Sequence, residues 1–192
     1  MNFFERWKYK FAQRRFNREY RNYRRTGSKL YNLADARSVG ILYSADNEET
    51  FSIVKKYVRY LKEEEGIKKI MAVGYYEEKG KEKEKPAFIS PKLEFDFITR
   101  KENCKNIKPT GNTVKNFTIE EYDILLDLTF DKKLPLQYML NQSKSRFKVG
   151  VHNESLEQFY DLMIITKENR SMTELIDNIN MILSKLNKKN NE

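Results

Sequence analysis

The sequence predicts an α/β domain with a mostly parallel sheet, preceded by a basic helix. Three observations predict it. A short apolar run, an amphipathic helix and a second apolar run follow one another between Ser38 and Tyr75, the spacing of a β-α-β unit whose strands must be parallel. The run Tyr122–Thr129 (YDILLDLT) is almost continuously apolar, as a strand covered on both faces is. The first 30 residues carry ten basic side chains against Glu5 and Glu19, eight of the nine net positive charges of the 192-residue chain.

The helical arm comes first in the chain. Residues 3–25 contain neither Gly nor Pro, and Gly27 offers a C-terminal stop. At 100° per residue Tyr9, Ala12, Phe16, Tyr20 and Tyr23 share one face, with Phe4, Trp7 and Phe11 nearly opposite. That second face continues into Arg14, Arg18, Arg21 and Arg25, with Arg15 beside them. One face is therefore expected to pack on a domain, and the other to present aromatic rings followed by guanidinium groups.

In the body, Ser38–Tyr43 (SVGILY) reads as a buried strand. Asp46 is the expected cap of the next helix, with Glu48 and Glu49 complementing its dipole. Phe51, Val54, Val58 and Leu61 form that helix's core stripe, and Gly66 ends it. Lys69–Tyr75 is the second strand. Residues 77–86 (EEKGKEKEKP) read as a solvated charged loop, Phe95–Thr99 as a strand and 101–116 as a polar loop. After Tyr122–Thr129 come a short helix over Pro135–Ser143 and two strands, Phe147–Val151 and Leu162–Thr166. Ser171 and Glu174 form a capping box for the last helix. Its stripe is Leu175, Ile176, Ile179, Ile182, Leu183 and Leu186, with Lys185, Lys188 and Lys189 at its basic end. The expected organisation is an arm over residues 1–30 and a single Rossmann-like α/β domain over 31–190, the latter folding without the arm.

Composition bounds the chemistry. His152 is the only histidine and Cys104 the only cysteine, so a His-based metal centre, a Cys-rich zinc site and an intrachain disulfide have no residues to form them. No run approaches 18 apolar residues, and residues from Glu5 onward lack an apolar signal region, so a cytoplasmic protein is expected. After the first strand the loop reads SADNEE, without glycine and with Asp46, Glu48 and Glu49 where a pyrophosphate would sit. No P-loop occurs, and no nicotinamide or flavin cofactor is expected. Asp127 at the end of the central strand could act as a general base with His152 as its partner. The plainer reading makes Asp127 an acceptor for loop amides and His152 an exposed loop residue. No G-x-S-x-G elbow is present, and Cys104 reads as a structural thiol.

The stretches DARSVGILYSADNEETFSIVKKYVRYLKEE, PKLEFDFITRKE, EEYDILLDLTF, PLQYMLNQSKSRFKVGVHNE and YDLMI together resemble an uncharacterised family of small proteins of Bacteroidota, over roughly residues 30–185. That resemblance implies the fold and a bacterial cytoplasm, and it carries no catalytic motif. A fainter similarity, in YDILLDLT, a short helix and RFKVGV, is to the N-terminal half of heptosyltransferase-type glycosyltransferases. That family binds its sugar-nucleotide mainly through a second domain, so the similarity implies the fold without the donor site.

The expected function follows from the arm. A solvated helix face normally mixes Glu with Lys, whereas residues 6–25 contain seven Arg. Arg supplies planar paired donors for phosphate and stacks on bases. The expectation is a non-enzymatic RNA-binding or ribosome-associated protein whose contacts are Trp7, Lys8, Lys10, Phe11, Arg14, Arg15, Arg18, Arg21, Arg24 and Arg25. Two alternatives stand beside it. One is a peripheral inner-membrane protein that inserts Phe3, Phe4, Trp7 and Phe11 into an anionic leaflet. The other is an enzyme acting on a sugar-phosphate or nucleotide near Asp127 and His152.

Overall fold

The computed structural model describes residues 3–25, 29–78, 85–131, 133–166 and 171–186. Its centre is a six-stranded sheet of β1 (Ser38–Ser44), β2 (Lys69–Tyr76), β3 (Phe95–Thr99), β6 (Ile124–Asp127), β7 (Phe147–Val151) and β8 (Leu162–Ile164). The spatial order is β3-β2-β1-β6-β7-β8 and every pair is parallel. This is the doubly wound, Rossmann-like order, with the direction of winding reversing between β1 and β6.

Alternation along the strands separates two cores. Val39, Ile41 and Tyr43 of β1 face α2 (Glu48–Glu63) and α6 (Met172–Lys185). Leu42, Val73 and Leu125 face the other way, into a cluster with α4 (Asn112–Ile119), α5 (Leu134–Gln142) and the 3-10 turn Glu154–Phe159. The helix α1 (Phe3–Glu19) lies outside that second layer and contributes Phe16 to it, 2% exposed. Phe16 meets Tyr138 edge-on at 4.9 Å and Phe159 at 5.8 Å. Tyr9, Ala12, Tyr20 and Tyr23 pack against the same cluster, which is the face expected from helical spacing.

Three local expectations are corrected. α1 does not run to residue 25: it ends at Glu19, and Tyr20–Asn22 form a turn. The Tyr20 carbonyl accepts from the Gln158 side chain at 3.1 Å and from the Tyr23 amide at 3.1 Å, so the body captures the carbonyl that a continuing helix would use. The cap of α2 is Asn47, whose Oδ1 accepts from Thr50 N–H at 2.8 Å, and not Asp46. The span read as a polar loop, 101–116, holds most of α3 (Arg100–Asn103), a hairpin of β4 (Cys104–Lys105) and β5 (Lys108–Pro109), and the first half of α4. α4 has eight residues and no side-chain cap at Gly111. With two large buried side chains, Val114 and Phe117, it shows too little periodicity to be read.

β6 is confined to Ile124–Asp127, and β8 to Leu162–Ile164. At α6 the Ser171 side chain accepts from Glu174 N–H as the capping box requires. Gly27, Lys188 and Lys189 lie outside the described residues. Among the described residues, no helix is long and apolar enough to cross a membrane.

Candidate nucleic-acid interface

The inner side of α1 is tied down along its length. The Tyr9 hydroxyl accepts from the Leu134 N–H at the start of α5, 3.3 Å away, and Glu19 pairs with Lys108 at 3.0 Å. Between them the Phe16 ring fills the gap over Tyr138 and Phe159. Burying a side chain of that size contributes about 2–3 kcal/mol, so this helix is seated on the domain and presents its other side in a set orientation.

On that other side Trp7 is 57% and Phe11 49% exposed, their ring centroids 4.3 Å apart. Phe3, one turn earlier, is also exposed. Arg6, Lys8, Lys10, Arg14, Arg15 and Arg18 are all exposed. Among the described residues no carboxylate lies within ion-pair distance of Arg14, Arg15 or Arg18. From Lys8 to Arg18 the helix rises about 15 Å, the span of a few phosphates. The outer face of α1 thus carries exposed rings that lead into exposed guanidinium groups.

The C-terminal part of the expected strip is not built that way. Because α1 stops at Glu19, Arg21, Arg24 and Arg25 do not continue the line of Arg14 and Arg18. Arg21 is exposed on the turn. Arg24 donates to the Tyr23 carbonyl at 3.0 Å and to Gln158 Oε1 at 3.4 Å. Arg25 turns inward. Its Nε donates to Asp161 at 2.5 Å, and its Nη2 to the carbonyls of Ser145 and Arg146 at 2.8 and 2.7 Å. With both side chains about nine-tenths buried, this pair clasps the end of the arm onto the sheet.

Beside the clasp lies Lys148, fully buried on β7, whose Nζ donates to the Leu140 carbonyl at 2.6 Å. Burial, then Arg25, push its pKa down to about 7, against the pull of Asp161. Sequence reasoning passed over this residue. The one available signal was a lysine inside the otherwise apolar run FKVGV.

The enzyme alternative is placed by the same geometry. Asp127 is buried and its carboxylate is fully engaged. Oδ1 accepts from the Thr129 amide at 3.0 Å and its hydroxyl at 2.5 Å, and Oδ2 from the Tyr160 hydroxyl at 2.6 Å. Burial raises its pKa above the ordinary value, and the three hydrogen bonds oppose that rise. His152 is exposed, its backbone N–H on the Ile164 carbonyl. The partner of Asp127 is thus Tyr160. Its ring can cross β7 because position 150 is glycine: a Cβ there would lie 2.4 Å from the ring. The Cys104 thiol is pushed up to about 12, mainly by burial, so it stays protonated at neutral pH.

At the switch point between β1 and β6, Lys133 stands between Asp46 (3.4 Å) and Glu77 (3.7 Å). The first amide of α5 is already taken by Tyr9. These contacts lie at the carboxyl ends of the strands, where this architecture ordinarily holds a ligand.

A family model described as a family of unknown function (DUF6913) matches residues 8–186, a span that includes most of α1 with the whole sheet. No curated protein and no solved structure matches the chain.

Proposed function

We infer that this chain, which belongs to the family of unknown function DUF6913, is a non-enzymatic RNA-binding or ribosome-associated accessory protein. One observation carries the reading: the face of α1 turned away from its anchored side bears exposed Trp7 and Phe11 and then Arg14, Arg15 and Arg18, flanked by Lys8 and Lys10. The cations offset backbone phosphates, and the rings stack on unpaired bases. Arg21 and Arg24 flank the strip from the turn. Arg25 belongs to the clasp. A cytoplasmic location, an origin in Bacteroidota and a fold shared with the N-terminal half of heptosyltransferases are parts of this reading.

The test is binding of a single-stranded RNA homopolymer across a salt series. If about six phosphates are neutralised, the log–log slope is near −4. Replacing Lys8, Lys10, Arg14, Arg15 and Arg18 with Gln should remove most of the binding and flatten the slope. A five-Gln variant that binds as tightly as wild type would reduce the strip to a solvated face. Co-flotation with anionic vesicles in place of RNA binding would instead establish the peripheral membrane role.

A further inference from the structure

The hairpin beside α1 is held in a conformation its sequence resists. β4 and β5 are joined by the turn Asn106–Ile107, whose φ angles are 50° and 71°. Such a turn needs positive φ at both central residues, which is why Asn-Gly is its usual pair. Asn tolerates that region, whereas a β-branched side chain is strained in it. Ile107 stays there because its side chain is buried in the same cluster as Phe16 and Tyr138. The turn is thus pinned beside α5 and α1, and it presents Lys105 and Asn106 to solvent.

The charge presented there works against the fold. Lys105 and Lys108 are opposite each other across the ribbon, and like charges so placed repel. Glu19 of α1 offsets Lys108 at 3.0 Å, and the same Nζ lies 5.2 Å from the centre of the Tyr138 ring. Among the described residues, the ion pairs of this region, Glu19–Lys108 and Lys85–Glu102, leave Lys105 out.

The two flanks of α1 differ in the same sense. Lys8, Phe11 and Arg15 precede Glu19 at helical spacing, so they line the flank that meets the hairpin. Arg15 is near enough to act electrostatically on both Glu19 and Tyr138. Gln13 and Asn17, uncharged and joined at 3.0 Å, precede Tyr20 on the other flank. That flank meets the 3-10 turn through Gln158, and Glu154 and Glu157 of the turn are exposed. A polyanion on the outer face of α1 is therefore drawn towards the hairpin and repelled from the 3-10 turn.

We propose that the β4–β5 hairpin is the second half of the phosphate-binding surface, where Lys105, with Asn106 beside it, takes the RNA phosphates that follow those held by Lys8 and Arg15. The proposal rests on the RNA-binding reading and gives the strand a path: off α1 over the hairpin, away from the acidic turn.

The experiment titrates the full chain with oligo-U RNA across a salt series. Beside it stand Lys105→Glu and a matched charge reversal on the far side of the sheet, Lys56→Glu on α2. Lys105→Glu turns a repulsive cross-strand pair into an attractive one, so its melting midpoint should equal or exceed that of wild type. Its RNA affinity should nevertheless fall by about five-fold or more, and its log–log slope should be shallower by about 0.7, the share of one phosphate. Lys56→Glu should keep the wild-type slope. Asn106→Asp keeps the turn, since Asp also tolerates positive φ, and should weaken binding in the same sense as Lys105→Glu. Wild-type affinity in Lys105→Glu, or an equal loss in Lys56→Glu, overturns the role of the hairpin, while RNA binding that still disappears in the five-Gln variant leaves α1 standing. A lowered midpoint in Lys105→Glu overturns it too, because Lys105 then serves the fold. A wild-type chain that binds no RNA removes the reading of α1 and this surface together.

Discussion

α1 and α6 cover opposite faces of the same sheet, and they do it differently. α6 is anchored by Leu175, Ile176, Ile179 and Leu183, all buried, and begins at a satisfied cap, Ser171. α1 is anchored by a single fully buried ring, Phe16, with tyrosines beside it, and by charged clasps at Glu19 and Arg25. Burial explains nearly every large side chain of α6, with Met181 as its exposed exception. It leaves Phe3, Trp7 and Phe11 of α1 unaccounted for. These exposed rings on an otherwise well-seated helix are what the proposed contact surface rests on.

The comparison breaks most easily at its anchors. Ile179→Ala and Phe16→Ala should each cost about 3–4 kcal/mol by chemical denaturation, because both leave a cavity in a packed layer. An unchanged midpoint for Phe16→Ala would make α1 a loose appendage after all. Deleting residues 1–25 is the wider form of this test. The sheet and the α2–α6 layer remain, so a cooperative transition is expected, at a lower temperature because Tyr138 and Phe159 lose their cover.

Next in size is the clasp. Arg25→Met leaves Asp161 buried without its ion partner and should cost about 3 kcal/mol. Circular dichroism melts against Asp161→Asn would show whether the two residues act as one unit.

A smaller effect separates the two sides of the sheet by pH. Lys148 binds its proton less readily when folded than when unfolded. The stability it contributes is therefore present at high pH and is lost as pH falls through its folded value near 7. Between pH 7 and 8.5 the wild type should gain stability by roughly 1 kcal/mol per pH unit. Lys148→Met should be more stable at pH 7 and flat across that window. A wild-type profile as flat as the variant's would show that the buried amine stays charged.

The smallest effect on stability, and the most telling for function, lies on the outer face of α1. Trp7→Ala should change the unfolding free energy by less than about 0.5 kcal/mol. It should weaken RNA binding by about 1–3 kcal/mol, as loss of one stacked base does, and leave the salt slope unaltered. Equal losses of stability and binding would mean that the ring serves packing.

Much of this was legible in the chain. The six main strands, the helices α2, α5 and α6, the packing face Tyr9–Ala12–Phe16–Tyr20–Tyr23 and the concentration of charge in residues 1–30 all follow from local periodicity and composition. Such signals are local because a side chain's direction repeats every 3.6 or two residues whatever it later touches. The neighbours of α1's tail were not legible. Arg25 meets Asp161, 136 residues away, and Arg24 meets Gln158, 134 away, so an arginine that looks like the last step of a charged ridge becomes an internal clasp. The surroundings of Asp127 are of the same kind: Asp127 on β6, Gly150 on β7 and Tyr160 just after the 3-10 turn are brought together only in space. Whether a polar side chain is satisfied, buried or left open depends on what the other elements bring to it in space. The sequence by itself determined which segments form elements and which faces are apolar. Only the tertiary structure decided which charges are held inside the molecule and which remain on its surface.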